Sequence, residues 1–201
     1  MGRRTLRAGP DLNAFRATLG LAPVRRIWSR WIHSPDLVIG AWPSWFAPPQ
    51  PDWPPATIVS GFPLFGQQGT DLPPSLAAFL EIGPAPIGIT PGSAMAHGAA
   101  FFARALAACV ERRQRILLIT PYRTQLPARL PDGVHVVDYA PFTPLLPRLS
   151  ALIHHGGIGT SAQALAAGVR AVLFKEYAFE RLGGIVHAIL GRRPEAAMPL
   201  Q

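Results

Sequence analysis

What most constrains the fold of this chain is the series of short apolar segments that follows Pro73-Pro74. Pro86 to Thr90, Arg115 to Thr120, His135 to Asp138, Ala151 to His154 and Ala171 to Phe174 each read as a strand, rich in Ile, Val and Leu and too short for a buried helix. Between the first two, Ala94 to Arg113 is alanine-rich and carries Phe101, Leu106 and Val110 at helical spacing. A second helix is predicted from near Thr160 to Gly168, the glycine closing it as a C-terminal cap. Apolar strands alternating with helices predict an α/β fold, a parallel sheet with helices on both faces. In such sheets ligands gather beyond the carboxyl ends of the strands.

The upstream half reads differently. Residues 11 to 35 carry a short helical pattern, Leu12, Phe15 and Leu19, then Trp28 and Trp31; Asp36 to Gly40 reads as a buried strand. From Ala41 to Gly69 the chain is rich in proline, tryptophan and glycine, with one brief strand candidate at Thr57 to Ser60. Prolines crowd the stretch from Pro43 to Pro91, which excludes regular helix there because each removes an N–H and restricts its predecessor. We read it as a linker.

Composition sets further bounds. A hydrophobic fraction of 49% against 15% charged excludes a disordered chain. The net charge of +8 comes from arginines that are scattered and not interleaved with aromatics, a poor match to a nucleic-acid surface. Cys109 stands alone, which excludes a disulfide within the chain and a thiolate metal site, and fits a reducing cytoplasm. Met1-Gly2-Arg3-Arg4 has no apolar run behind it, and no stretch reaches the roughly 18 apolar residues of a spanning helix. A soluble protein is expected.

The chemistry concentrates where strands run into glycines. At Ala151 to Ser161 an apolar strand leads into His154, His155, Gly156, Gly157 and Gly159, then into Thr160 and Ser161, hydroxyl residues suited to a helix N-cap. A helix N-terminus presents unpaired N–H groups and a positive dipole end, and glycines let a diphosphate reach that backbone. His155 and Thr160 add side-chain donors. The bland alternative, a tight turn capped by histidines, leaves buried N–H groups needing a partner. The spacing is neither the dinucleotide G-x-G-x-x-G nor a P-loop, and adjacent histidines on a strand point to opposite faces, against a metal site. Ile87 to Ser93 forms a second strand-to-helix turn, where Gly92 and Ser93 are candidates for the same diphosphate.

The Pro-Gly-Ser turn, Asp138 to Phe142, the His-His-Gly-Gly-x-Gly-Thr loop and Gln163 to Gly168 together resemble the C-terminal domain of nucleotide-sugar glycosyltransferases of the GT-B fold. The chain looks closest to bacterial sterol glucosyltransferase-like enzymes and to the erythromycin CIII type. The resemblance implies a Rossmann-like donor-binding domain over 85–201, preceded by a linker and entry helix over 57–84 and by a remnant of the N-terminal acceptor domain over 1–56. It places Gly92, Ser93, His155, Gly156, Gly157, Gly159 and Thr160 on the donor diphosphate. Tyr139, Ala140 and Phe142 would hold the base, with Tyr139 as stacking aromatic, and Gln163 stands where relatives place a glutamate on the ribose.

After Gly168 the sequence departs from the family pattern. Relatives carry an Asp-Gln pair on the sugar hydroxyls, and the nearest equivalents here are Glu180 and Arg181. The general base is expected in the N-terminal domain, so no catalytic residue is assigned; His33, His97, His135 and His187 read as surface or packing residues. The implied activity is transfer of a hexose from a UDP- or dTDP-sugar to a hydroxyl of a small acceptor, with no cofactor and no metal. The acceptor is expected to be a small molecule or a lipid, and Trp42, Trp45 and Trp53 leave two readings open: contact with a lipophilic acceptor or membrane surface, or packing within the linker. The alternative is a non-catalytic nucleotide-binding fragment, or one that pairs with a separate acceptor-domain chain. A nucleotide-sugar epimerase lacks a carboxylate cluster, and a nicotinamide oxidoreductase lacks its glycine spacing.

Overall fold

The computed structural model describes residues 8–64, 71–92, 98–169 and 171–173, and its contacts divide the chain into one unit ending at Pro63 and a second beginning at Leu64. The first unit opens with helix α1, Ala8–Thr18. The Asn13 amide grips the backbone of Val24 in both directions, donating at 3.0 Å and accepting at 2.7 Å. A π-helical turn follows at Ile27–Trp31, entered through Arg26 at φ 53°.

Strands β1, Val38–Gly40, and β2, Thr57–Val59, then pair in parallel, with Ile39 opposite Ile58. The strand expected to be buried is therefore shorter and largely open. Gly40 is buried, but Ile39 and Ile58 are 58% and 52% exposed, because a two-stranded sheet offers side chains to two faces and no described element covers theirs. Inside the expected linker, β2 pairs with a strand upstream of it, so this part of the linker is structured. Its aromatics pack on one another, Trp42 on Trp53 and Trp45 and Phe46 on Phe62, at centroid distances of 5.3 to 6.1 Å.

The second unit holds a five-stranded parallel sheet: β3, Ile87–Thr90; β4, Ile116–Ile119; β5, Val134–Val137; β6, Ala151–His154; and β7, Ala171–Leu173. The order is β5-β4-β3-β6-β7, so the chain winds outward from β3 on one side and returns to lie on the other. Side chains alternate between two cores. Ile87, Ile89, Ile116, Leu118 and Ile153 face helix α3, Ala99–Val110, and pack on Phe101, Phe102, Ala105 and Cys109. Leu117, Ile119, Val137 and Leu152 face the opposite side, under α2, Pro74–Glu81, α4, Phe142–Leu145, and α5, Ile158–Ala166. Helices on both faces explain why these strands read as continuous apolar runs. Gly88 is required by close approach, since a Cβ there would lie 2.7 Å from Leu149 Cδ1.

Local rules account for the helix ends, and they correct one expectation: α2 lies inside the stretch where the prolines were read as excluding regular helix, because Pro74 opens its first turn, where no intrahelical N–H is lost. Of the expected helix over Ala94 to Arg113, the described part runs from Ala99 to Val110; residues 94–97 lie outside the described residues, and Arg113, at φ 52°, turns the chain out of the helix. Gly168, at φ 68°, closes α5: its N–H donates to Leu165 and that of Val169 to Ala164, the Schellman arrangement. The start of α5 differs from expectation. Gly157 is the N-cap and no side chain caps the helix, while the Ser161 hydroxyl turns back to the Gly157 carbonyl at 3.0 Å. Among the described residues no helix is long and apolar enough to cross a membrane.

Candidate functional site

The order of the sheet creates a crevice where β3 and β6 diverge into loops on opposite sides, the place where such folds accept ligands. A cavity of about 560 Å³ opens there. Its floor is the carboxyl ends of β3 and β4, through Thr90 and Ile119. The loop after β5 supplies one wall, with Asp138, Tyr139, Ala140 and Phe142; Gly92, Gly159, Thr160 and Gln163 supply the other. The structure thus brings Tyr139, Ala140, Phe142 and Gln163 together with Gly92, Gly159 and Thr160 around one space. Ser93, Glu180 and Arg181 lie outside the described residues.

The turn after β6 shows why its glycines are needed. Gly156 adopts φ 92°, a left-handed conformation that admits a side chain only with strain. The His155 ring lies between two backbones: a Cβ on Gly92 would stand 2.5 Å from its Cε1, and one on Gly157 would stand 2.7 Å from its Nε2. His155, Gly156 and Gly157 therefore stand behind the cavity wall, and the imidazole spaces the turn after β3 from the turn after β6. Gly159 is different, with nothing within 4 Å of the place of a Cβ. Its backbone faces open space at the start of α5, where the uncapped first-turn amides need acceptors.

The wall after β5 carries one exposed aromatic, Tyr139, at 61% exposure, beside the buried Ala140. Asp138 is held at the rim by Arg123, whose Nε donates to its Oδ1 at 2.8 Å while a second guanidinium nitrogen donates to the Val136 carbonyl at 3.3 Å. Both side chains are more than half exposed, so the pair positions more than it stabilises. The Gln163 amide N–H reaches back to the Gly159 carbonyl at 3.5 Å.

Residues 103–185 match the model of the erythromycin biosynthesis protein CIII-like C-terminal domain. The O-mycaminosyltylonolide 6-deoxyallosyltransferase of Streptomyces fradiae is 33% identical over 181 residues, covering 84% of this chain and 40% of that protein. The chain is a relative of the GT-B glycosyltransferases. The structure of the glycosyltransferase SnogD from Streptomyces nogalater is 29% identical, with TM-score 0.50 over 64% of this chain and 35% of that one. That of the spinosyn forosaminyltransferase SpnP agrees in fold, with TM-score 0.57 at 22% identity over 93% of this chain and 48% of the other. The chain thus spans about 40% of the length of its first curated relative.

Sequence reasoning missed part of this cavity. Thr90, which lines it, and Thr120, the residue after β4, which does not, stand within the same tripeptide, Ile-Thr-Pro, and each hydroxyl accepts a backbone N–H two residues on, from Gly92 at 3.2 Å and Tyr122 at 3.1 Å. The repeated tripeptide was the available signal. Asp138 and Thr143 also line the space. Of the histidines outside the loop, His135 stacks on Phe79 at 4.9 Å and serves packing.

Burial pushes the His154 pKa down to about 4, with the neighbouring His155 adding to the effect. Burial, then Arg123, lowers that of His135. Both rings bind protons more readily unfolded than folded, so stability should rise with pH across the window below the unfolded value of about 6.5. Acidification from pH 7.5 to 5.5 is expected to lower the urea midpoint, and His154→Asn to reduce that dependence. A midpoint unchanged over this range would contradict the assignment.

Proposed function

We propose that the cavity binds the nucleoside diphosphate of a UDP- or dTDP-sugar and that the chain is the donor-binding part of a hexosyltransferase. The observation that carries this reading is the uncapped N-terminus of α5, whose backbone at Gly159 and Thr160 borders a cavity walled on its far side by Tyr139. An anion at a helix N-terminus accepts the orphan N–H groups and meets the positive end of the dipole. A base across the cavity stacks on Tyr139, and Gln163 meets the ribose. Sugar contact by Glu180 and Arg181 belongs to the same proposal.

In the full reaction an acceptor hydroxyl attacks the anomeric carbon, and the N–H groups stabilise negative charge growing on the departing diphosphate. That role requires no metal. The acceptor is proposed to be a small or lipophilic molecule and the setting cytoplasmic, with peripheral contact to a membrane through exposed tryptophans such as Trp28 and Trp45. A general base must reach the proton it removes, and no histidine lines the described cavity. This favours a second reading, nucleotide binding without transfer unless an acceptor domain, in the same or a separate chain, supplies the base. The uncovered Ile39 and Ile58 suit such a partner surface.

Calorimetric titration with UDP and dTDP tests the first reading, and product formation from a UDP-sugar separates it from the second. His155→Ala is expected to fold, as judged by circular dichroism, and to bind UDP roughly tenfold more weakly, because without the spacer between the two turns the first-turn amides of α5 lose the equivalent of about one hydrogen bond to a charged group. Equal affinity in the variant would remove His155 from the site.

A further inference from the structure

His154 ends β6 and is wholly buried. Its Nδ1 accepts the backbone N–H of Gly156 at 3.2 Å, which puts the ring proton on Nε2. That Nε2 is buried and meets no hydrogen-bond partner among the described residues. A buried donor without a partner costs stability, a cost that an apolar side chain of similar size would not carry. The ring is therefore better explained by what Nδ1 holds than by what it adds to the core. It holds Gly156 at φ 92°, the corner from which Gly157 caps α5 and Gly159 enters the cavity wall.

We propose that His154 is a positioning residue for the phosphate-side turn: by tethering the Gly156 amide it fixes where the first-turn amides of α5 point. The inference rests on the nucleotide-binding reading above. His155 cannot take this part, since its ring is perpendicular to that of His154, 6.5 Å away, and packed between Gly92 and Gly157. Burial keeps His154 neutral at physiological pH, so Nδ1 remains an acceptor.

Two variants separate the tether from bulk packing. In His154→Asn the amide oxygen is bonded to Cγ, as Nδ1 is, and restores an acceptor, whereas His154→Leu supplies none. The leucine variant is expected to exchange its Gly156 amide faster without ligand and to bind UDP about tenfold more weakly, with no fall in unfolding temperature. The asparagine variant is expected to restore both within about threefold. An unchanged leucine variant, an asparagine variant as impaired as the leucine one, or a leucine variant that does not fold would each overturn the tether. Wild type that fails to bind UDP while the exchange difference persists would overturn the nucleotide reading and uphold the tether.

Discussion

Gly92→Ala is expected to reduce UDP affinity about thirtyfold or more and to destabilise the second unit by about 1–3 kcal/mol. Two costs fall on one methyl group. The backbone at φ 89° strains any residue with a Cβ, and that Cβ would stand 2.5 Å from His155 Cε1 and 2.9 Å from its Nδ1. Relief by turning the imidazole away is blocked on its other side by Gly157, whose own Cβ position is 2.7 Å from the ring. The strain therefore passes to the turns after β3 and β6, which border the cavity. Calorimetry with UDP, beside urea unfolding followed by circular dichroism, checks both parts. A folded variant with wild-type affinity would mean that His155 does not space the two turns.

Phe102→Ala is expected to cost about 3–5 kcal/mol of folding stability, the range for truncating a buried aromatic. Phe102 has no exposure, lies in the core between α3 and the sheet, and stands edge-on to Phe101 at 5.6 Å. Against the roughly 5–15 kcal/mol that holds a typical domain together, this would bring unfolding close to working temperatures. The readout should be the helical signal in circular dichroism, because all five tryptophans lie between residues 28 and 53, in the first unit. A shift in urea midpoint equivalent to less than 1 kcal/mol would show that the site collapses around the lost ring.

The five central strands were legible because a sheet covered on both faces writes its strands as unbroken apolar runs. Ala151–His154 was read to the residue and β3, β4 and β5 to within one residue at either end; β7 begins at Ala171 as read, and Phe174 lies outside the described residues. Strand β1 was misread as buried for the converse reason: its side chains are apolar, but burial depends on what covers Ile39, which no local pattern states. The one-turn helix at Phe142–Leu145 was hidden by Pro141 and Pro144, which sequence logic treats as breakers although a first helical turn has no N–H to lose. Similarly, Thr160 and Ser161 suggested a later start to α5, whereas a glycine N-cap needs no hydroxyl. In the site, His155 stands behind the cavity wall, whereas Gly92, Gly159 and Thr160 line it and were readable from their glycine-rich turns. Thr90 and Asp138 were not, because their place depends on which strands become neighbours.

The strand order also bears on how a cavity like this can change its preferences. The wall with Tyr139 hangs from β5 and the wall with Gly159 from β6, and two whole strands, β4 and β3, lie between their points of attachment. Loops anchored that far apart behave as interchangeable parts. Replacing residues 138–143 can remodel one end of the cavity without passing a register shift to the other, since each loop starts from a strand locked by its own parallel pairing. On the proposed nucleotide reading, a lineage could thus revise the end facing Tyr139 by altering one loop while the end at Gly159 is inherited intact.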